Sequence, residues 1–185
     1  MSNNYKLEKL TEEITDLKVV QPEVYFDHRG ENFEGFDSNY HQMMFSTIDD
    51  FRDTTNKPKK EFKVDSFSVS SKNVLRGLHG DSKNWKLVQC LSGSIYLVVI
   101  DLRENSPTYK KQNKFYLNDK NRLQVLIPPN CVNGHLCLSD TCLFSYKLTE
   151  DYVSIDDQIS VKWNDKEFDI FWPIQNPILS SRDSK

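Results

Sequence analysis

The residues best suited to chemistry in this 185-residue chain form a short cluster, in which Arg76, His79 and Lys86 follow one another with Gly77 and Gly80 between them. An arginine can hold a phosphate through two parallel hydrogen bonds. A histidine, with an ordinary pKa of about 6.5, can remove a proton at neutral pH. A lysine can stabilise negative charge as it develops. The cluster therefore predicts a site that binds one anionic ligand and transfers a proton.

The spacing of Arg76 and His79 raises a geometric problem. Residues three apart in a regular strand point to opposite faces of the sheet. Gly77 lies between the two, and a glycine inside a strand pattern often marks a bulge or a strand end. We therefore predict that an irregularity at Gly77 brings both side chains to one site.

From residue 61 onward the chain reads as short β-strands joined by polar loops. Little room remains for the crossover helices that parallel strands need, so the pattern predicts an all-β antiparallel barrel or sandwich, with the ligand in its mouth or interior. Residues 38–51 carry apolar side chains near helical spacing and predict one short helix. Ser92-Gly93-Ser94, between two apolar runs, predicts a hairpin.

Strand parity indicates which side chains point into the barrel. Lys86, Val88 and Cys90 fall on one face of their strand, and Phe144 and Tyr146 share a face of another. A lysine and a tyrosine on otherwise apolar faces fit a ligand site. They also fit a lysine at a strand end and a tyrosine whose hydroxyl meets a backbone group, and spacing alone leaves both interpretations open.

Composition limits the partners. The length predicts one domain, and the net charge of −3 argues against a general binder of nucleic acid or acidic membranes. The most apolar run, residues 95–100, is far shorter than the roughly 20 residues of a membrane span. Residues 1–10 are polar and lack the apolar core of a signal peptide. We expect a cytoplasmic protein with no membrane and no nucleic-acid partner.

The four cysteines, Cys90, Cys131, Cys137 and Cys142, lack the spacing of zinc-binding pairs. Most lie in apolar runs, so they are predicted to be small buried side chains. We expect no metal site.

Further motifs follow the first cluster in order along the chain: Val99-Ile100-Asp101-Leu102-Arg103, Leu126-Ile127-Pro128-Pro129, Tyr146-Lys147, Trp163-Asn164-Asp165, Trp172-Pro173 and Ser180-Ser181-Arg182-Asp183. Together with residues 27–34 and 73–79, they make the chain from about residue 19 to 183 resemble the dTDP-4-dehydrorhamnose 3,5-epimerase family. The resemblance implies a cupin-type jelly-roll barrel with short peripheral helices, spanning residues 1–185 as one domain. It also implies a homodimer, in which residues 1–36 form a strand segment that packs on the partner subunit or is exchanged with it.

The family inverts nucleotide-diphospho-4-keto sugars at C3, C5 or both, by removing a proton next to the ketone and replacing it on the opposite face. The resemblance implies that His79 is the base and that Asp183 orients and charges it. Tyr146 matches the acid on the other face, and Lys86 matches the cation beside the developing enolate. No cofactor is implied.

The resemblance also implies a set of binding residues. Arg29 and Arg76 match contacts to the diphosphate, and Glu34 matches a residue near the nucleotide. Asn133 stands where the family usually has a histidine near the sugar, so Lys86 would carry more of the enolate charge. His135 stands where the family has an aromatic residue.

Gly80-Asp81 and Asn133-Gly134-His135 depart from the usual family pattern. They resemble a branch that acts on GDP-linked 4-keto-heptoses in bacterial capsule or surface polysaccharide synthesis, and we expect that substrate. The alternative is a dTDP-linked 4-keto-6-deoxyhexose. Alternatives of other classes are a sugar-nucleotide 3,4-ketoisomerase, a non-catalytic sugar-nucleotide binding module and a metal-dependent cupin.

Overall fold

The computed structural model describes residues 5–7, 14–51, 60–152 and 154–185. Within them, the chain forms strands joined by short loops, one α-helix and two 3-10 turns. The elements are β1 (Tyr5–Leu7), β2 (Lys18–Pro22), β3 (Val24–Asp27), β4 (Gly30–Phe33), α1 (Ser38–Met44), a 3-10 turn (Asp49–Phe51), β5 (Val64–Ser71), β6 (Leu75–Gly80), β7 (Lys86–Ser92), β8 (Ser94–Asp101), β9 (Gln112–Asn118), β10 (Gln124–Ile127), β11 (Cys131–Cys137), β12 (Thr141–Leu148), a 3-10 turn (Ile155–Asp157) and β13 (Ile159–Ser160).

Two antiparallel sheets form the body of the molecule. One has the strand order β1-β2-β10-β7-β12-β5, the other β13-β6-β11-β8-β9, and β3 pairs with β4 in a separate two-stranded sheet. Neighbours in the sheets are mostly distant in sequence, as jelly-roll connections require. The predicted all-β, cupin-type jelly roll with short peripheral helices is confirmed.

The main hydrophobic core fills the space between the two large sheets. It combines Val88 and Phe144 from one sheet with Leu97, Val99 and others from the facing sheet. The parity prediction is confirmed, because alternate residues of β7 and β12 point into this space. Toward one end of the barrel the inward positions become polar, and that change from apolar to polar side chains creates the site. All four cysteines are buried, as predicted.

The chain between β7 and β8 corrects one prediction. These strands are not hydrogen-bonded partners, since β7 lies in the six-stranded sheet and β8 in the five-stranded sheet. Gly93, with φ of +77°, turns the chain from one sheet to the other. The Ser92-Gly93-Ser94 signal therefore marks a turn, but the predicted hairpin is wrong, because a turn residue does not reveal which strand its successor will pair with.

The irregularity predicted at Gly77 is confirmed. Opposite β11, Arg76 pairs with His135 and His79 pairs with Asn133, so β6 carries one extra residue between the two pairs. Gly77 has φ of +116°, and a Cβ there would lie 2.6 Å from the Asn133 carbonyl oxygen. This conformation and this close approach both require glycine.

Two segments cover the outer faces of the sheets. The segment that follows α1 packs Phe45, Ile48 and Phe51 on the outer face of the six-stranded sheet. The C-terminal segment packs Trp172 and neighbouring apolar residues on the five-stranded sheet. No helix among the described residues has the length and apolar character needed to cross a membrane.

Replacing Gly77 by alanine should destabilise the fold by about 2–4 kcal/mol, because the positive φ and the contact with β11 are both incompatible with a side chain. Urea unfolding monitored by circular dichroism measures the effect. Gly35→Ala is the matched control, because its nearest neighbour would lie 3.9 Å from the new Cβ and its φ is not positive. Equal stabilities of the two variants would contradict the account of the bulge.

Candidate active site

A cavity of about 330 Å³ lies between the two sheets at the polar end of the core. Seven of the nine predicted site residues line it: Arg76, His79, Lys86, Asn133, His135, Tyr146 and Asp183. They come from β6, β7, β11, β12 and the C-terminal segment. A volume of this size suits a small organic ligand.

His79 and Asp183 form the central pair of the cavity. Their Nε2 and Oδ1 atoms are 2.8 Å apart, and the Asp183 side chain is only 5% exposed. The two atoms lie within hydrogen-bonding distance without good alignment, and the contact becomes an ion pair only when the ring gains a proton. A buried carboxylate at this distance favours the charged form of the imidazole.

The C-terminal segment brings Asp183 to His79. Ile178 forms a parallel bridge with Val74, and its backbone exchanges hydrogen bonds with Asn73 and Leu75 just before and inside β6. A turn then follows, in which the Asp183 backbone N–H donates to the Ser180 hydroxyl. The packing of this segment on β6 therefore fixes the carboxylate beside the imidazole.

The pKa of His79 is lowered from its ordinary value of 6.5. Burial is the largest cause, and Asp183 opposes it by stabilising the charged ring. Arg182 and Lys86 add to the lowering through their positive charges. The ring is therefore neutral at neutral pH and still has a carboxylate that stabilises it once it gains a proton, which is the requirement for a general base.

Lys86 lies on β7 of the six-stranded sheet, across the cavity from His79 on β6. Its Nζ donates to the His79 carbonyl oxygen at 3.2 Å and to Asn133 Oδ1 at 3.3 Å. Burial lowers the pKa of Lys86, and the nearby Asp81 carboxylate opposes this. The two acceptors hold the ammonium group at the cavity surface, where it can donate to an oxygen that develops negative charge.

Tyr146 reaches the cavity from the opposite sheet. It lies on β12, where it pairs with Val88 of β7, whereas His79 lies on β6 of the facing sheet. A phenol and an imidazole on opposite walls can exchange protons with the two faces of a flat ligand that lies between them.

Arg76 lies at the exposed side of the cavity. Its Nε donates to the Ser70 hydroxyl at 2.9 Å, and its Nη2 donates to the Val69 carbonyl oxygen at 3.2 Å. These contacts use part of the guanidinium and orient it. The remaining N–H groups can bind a phosphate oxygen.

His135 lies deeper in the cavity and has a different character. Its ring stacks on Phe144 with centroids 4.1 Å apart. Burial, followed by the positive charge of Arg76, lowers the pKa of His135 to about 3. The ring is therefore uncharged and serves as a hydrogen-bonding group rather than as a cation.

Arg29 and Glu34 do not line the cavity of their own chain. Arg29 lies in the turn between β3 and β4, its side chain is 79% exposed, and it pairs with Asp27 at 2.6 Å. Glu34 follows β4 and is also exposed. Their predicted contacts with the ligand stay predictions.

Sequence reasoning missed several cavity residues, among them Ser68, Tyr152, Gln158 and Arg182. Ser68 is missed because β5 reverses the usual pattern, exposing Phe67 and Val69 and turning serines inward. Tyr152 and Gln158 lie in irregular segments, where no periodicity of the sequence predicts the direction of a side chain. Arg182 had a signal, because it directly precedes Asp183.

Asp81 accepts hydrogen bonds from the backbone N–H groups of Lys83 and Asn84. It also lines the cavity.

Within the described residues, no group of three His, Cys, Asp or Glu side chains converges in a way that could hold a metal ion.

Comparison with known proteins identifies the family. A family model described as dTDP-4-dehydrorhamnose 3,5-epimerase matches residues 11–185. The chain belongs to the dTDP-4-dehydrorhamnose 3,5-epimerase family. It is 35% identical over 174 residues to the enzyme of that name from Shigella flexneri, covering 92% of this chain and 90% of the relative.

Solved structures of epimerases agree with this assignment. The structure from Legionella pneumophila, in complex with dTDP-4-keto-L-rhamnose, has a TM-score of 0.83 at 31% identity and covers 97% of this chain and 90% of its own. The structure from Bacillus anthracis, with TDP and pyrophosphate bound, has a TM-score of 0.84 at 32% identity. The match covers 97% of this chain and 96% of the Bacillus anthracis chain. As a member of this epimerase family, the chain is an isomerase.

In this epimerase-family protein, Asp183→Asn should lower the pKa of His79 further below 6.5, because the carboxylate that stabilises the charged ring is lost while burial remains. NMR titration of the histidine ring signals measures the change. Asp140→Asn is the matched control, because it removes the same charge from a carboxylate that is 99% exposed and lies in a turn. An unchanged or raised His79 pKa in Asp183→Asn would contradict the electrostatic role of Asp183.

Proposed function

We propose that this protein epimerises a nucleotide-diphospho-4-keto sugar at C3, C5 or both, and that the substrate is a dTDP-linked 4-keto-6-deoxyhexose. The observation that carries the proposal is the pair of proton-transfer groups on opposite walls of one cavity. His79, supported by Asp183, lies on one sheet, and Tyr146 lies on the other. Inversion of a carbon requires removal of a proton from one face and its return to the other.

In the proposed reaction, neutral His79 removes the proton from a carbon next to the ketone and becomes an imidazolium, which Asp183 stabilises. The electron pair of the C–H bond forms the enolate, whose oxygen accepts a hydrogen bond from Lys86. The Tyr146 hydroxyl then donates its proton to the opposite face of the carbon. His79 returns its proton to solvent, and the phenolate regains one, so the enzyme is restored.

The nucleotide and the sugar are the finer part of the proposal. The relatives described above act on, or bind, thymidine-linked compounds according to their names, and this supports the dTDP-linked 6-deoxyhexose. The comparisons give no support to the GDP-linked heptose expected from Gly80-Asp81 and Asn133-Gly134-His135. The experiment below therefore includes both nucleotides.

The test is hydrogen exchange in heavy water. The protein is incubated with dTDP-4-keto-6-deoxyglucose and, in parallel, with a GDP-linked 4-keto sugar, and NMR follows the C3 and C5 hydrogens. We expect enzyme-dependent loss of one or both signals and a faster reaction of the dTDP compound. The absence of exchange with every 4-keto sugar would overturn the epimerase proposal, and a 3-keto product would identify a ketoisomerase instead.

Two variants assign the roles in the same assay. His79→Gln should lower the exchange rate by about a hundredfold or more, because the base is lost. Tyr146→Phe should keep exchange at a carbon but lose most of the inversion, since only the proton return on the far face is affected. A Tyr146→Phe protein with unchanged rate and product stereochemistry would exclude Tyr146 as the acid.

We also propose that residues 1–36 pack on, or exchange with, a partner subunit in a homodimer. The support is the position of the β3–β4 hairpin, which forms a sheet of its own and leaves Arg29 exposed and outside the cavity of its own chain. In a dimer of this kind, Arg29 and Glu34 contribute to the neighbouring site. Residues 1–4 and 8–13 of this segment lie outside the described residues.

Subunit complementation tests the dimer proposal. Arg29→Ala and His79→Gln are each expected to be strongly impaired. When the two are unfolded and refolded together, half of the dimers are mixed and each mixed dimer holds one intact site, so about one quarter of the wild-type rate should return. A mixture no more active than the mean of the two variants would show that Arg29 does not serve a neighbouring site.

A further inference from the structure

Besides Asp183 Oδ1, which lies 2.8 Å from the His79 ring, two buried polar atoms of cavity residues lack a hydrogen-bond partner among the described residues: His135 Nε2 and Ser68 Oγ. Both residues line the cavity. They flank the same aromatic ring, because His135 stacks on Phe144 and Ser68 pairs with Phe144 across β5 and β12. These two unmet groups, one from each sheet, therefore both lie next to Phe144.

An unpaired buried polar atom is costly, by about 1–3 kcal/mol. Stacking on Phe144 does not explain the imidazole, because a phenylalanine would stack equally well without leaving a nitrogen unpaired. Charge does not explain it either, since the ring is uncharged. A neutral imidazole that faces a ligand cavity is best satisfied by a neutral polar group of the ligand, such as a hydroxyl, which can both donate and accept.

The register of β11 indicates which part of the ligand lies there. Asn133 is opposite His79 and accepts from Lys86, so it marks the end of the cavity where proton transfer is proposed. His135 is opposite Arg76, the proposed phosphate-binding residue. Two residues along a strand span about 6.6 Å, comparable to the width of a sugar ring. His135 therefore faces the side of the ring that carries the diphosphate.

In a sugar nucleotide the diphosphate is attached at C1, and the C4 ketone lies across the ring. The two ring atoms next to C1 are the ring oxygen and C2, and of these only C2 carries a hydroxyl. We propose that His135 Nε2 hydrogen-bonds the C2 hydroxyl of the sugar, with Ser68 beside it as the second polar group of this subsite. His135 then selects sugars that keep a hydroxyl at C2. The inference rests on the proposed function for the class of ligand, but it concerns binding and not turnover.

The test measures binding by calorimetry, so it is independent of any reaction. The probes are the glucose and 2-deoxyglucose esters of whichever nucleoside diphosphate, dTDP or GDP, binds the wild-type protein more tightly, together with that nucleoside diphosphate alone. The wild-type protein should bind the 2-deoxy compound about tenfold more weakly than its parent, a difference of about 1.4 kcal/mol. This arm needs no variant.

The variant His135→Phe is measured with the same ligands, because it keeps the stacking on Phe144 and removes the ring nitrogen. It should bind the parent sugar nucleotide about tenfold more weakly than the wild type and bind the 2-deoxy compound and the nucleoside diphosphate with unchanged affinity. Thermal unfolding confirms that the variant is folded.

Other outcomes overturn the proposal. If His135→Phe weakens binding of the nucleoside diphosphate to the same extent, the partner of His135 is a phosphate oxygen. If it weakens binding of the parent and the 2-deoxy compound alike, the partner is another group of the sugar. If the wild-type protein does not discriminate between the two sugars, the C2 hydroxyl is not recognised. Failure of hydrogen exchange would refute the epimerase proposal but leave these binding results interpretable.

Discussion

The single extra residue in β6 at Gly77 is the constraint on which the site depends. Without it, Arg76 and His79 would face opposite sides of the sheet. With it, both line the cavity, opposite His135 and Asn133 of β11. The bulge requires the backbones of β6 and β11 to approach so closely that only glycine fits at position 77. A local departure from strand regularity thus places the proposed phosphate-binding arginine and the proposed base in one site.

The electrostatic character of the cavity follows from its depth. Burial lowers the pKa of His79, Lys86 and His135, and His79 has the Asp183 carboxylate 2.8 Å from its ring. The same wall therefore offers one imidazole that can gain a proton and another that stays neutral. The two imidazoles differ in their proposed roles because His135 is more deeply buried and lies near the positive charge of Arg76, whereas His79 lies near the negative charge of Asp183.

Features that depend on local periodicity could be predicted from the sequence. Alternation in β7 and β12 correctly indicated that Lys86 and Tyr146 point inward, and Gly77 indicated the bulge. Features that depend on long-range pairing could not be predicted in this way. Gly93 gives no sign that the chain crosses to the other sheet, and nothing in the spacing connects Asp183 with His79. That pair was expected only from the resemblance to the epimerase family. Ser68 was missed because β5 turns its apolar residues outward.

The contact between Asp183 and the proposed base depends on the folding of the C-terminal segment. The barrel core is formed by the two sheets, whereas Asp183 is held by backbone hydrogen bonds around Ile178 and by apolar packing on one sheet face. Segments of this kind open at a lower free energy than the core strands that they cover. The proposed base would therefore lose its carboxylate partner while the barrel and most of the cavity remained intact. Loss of this partner would require the opening of the C-terminal segment alone, and not the melting of the whole fold.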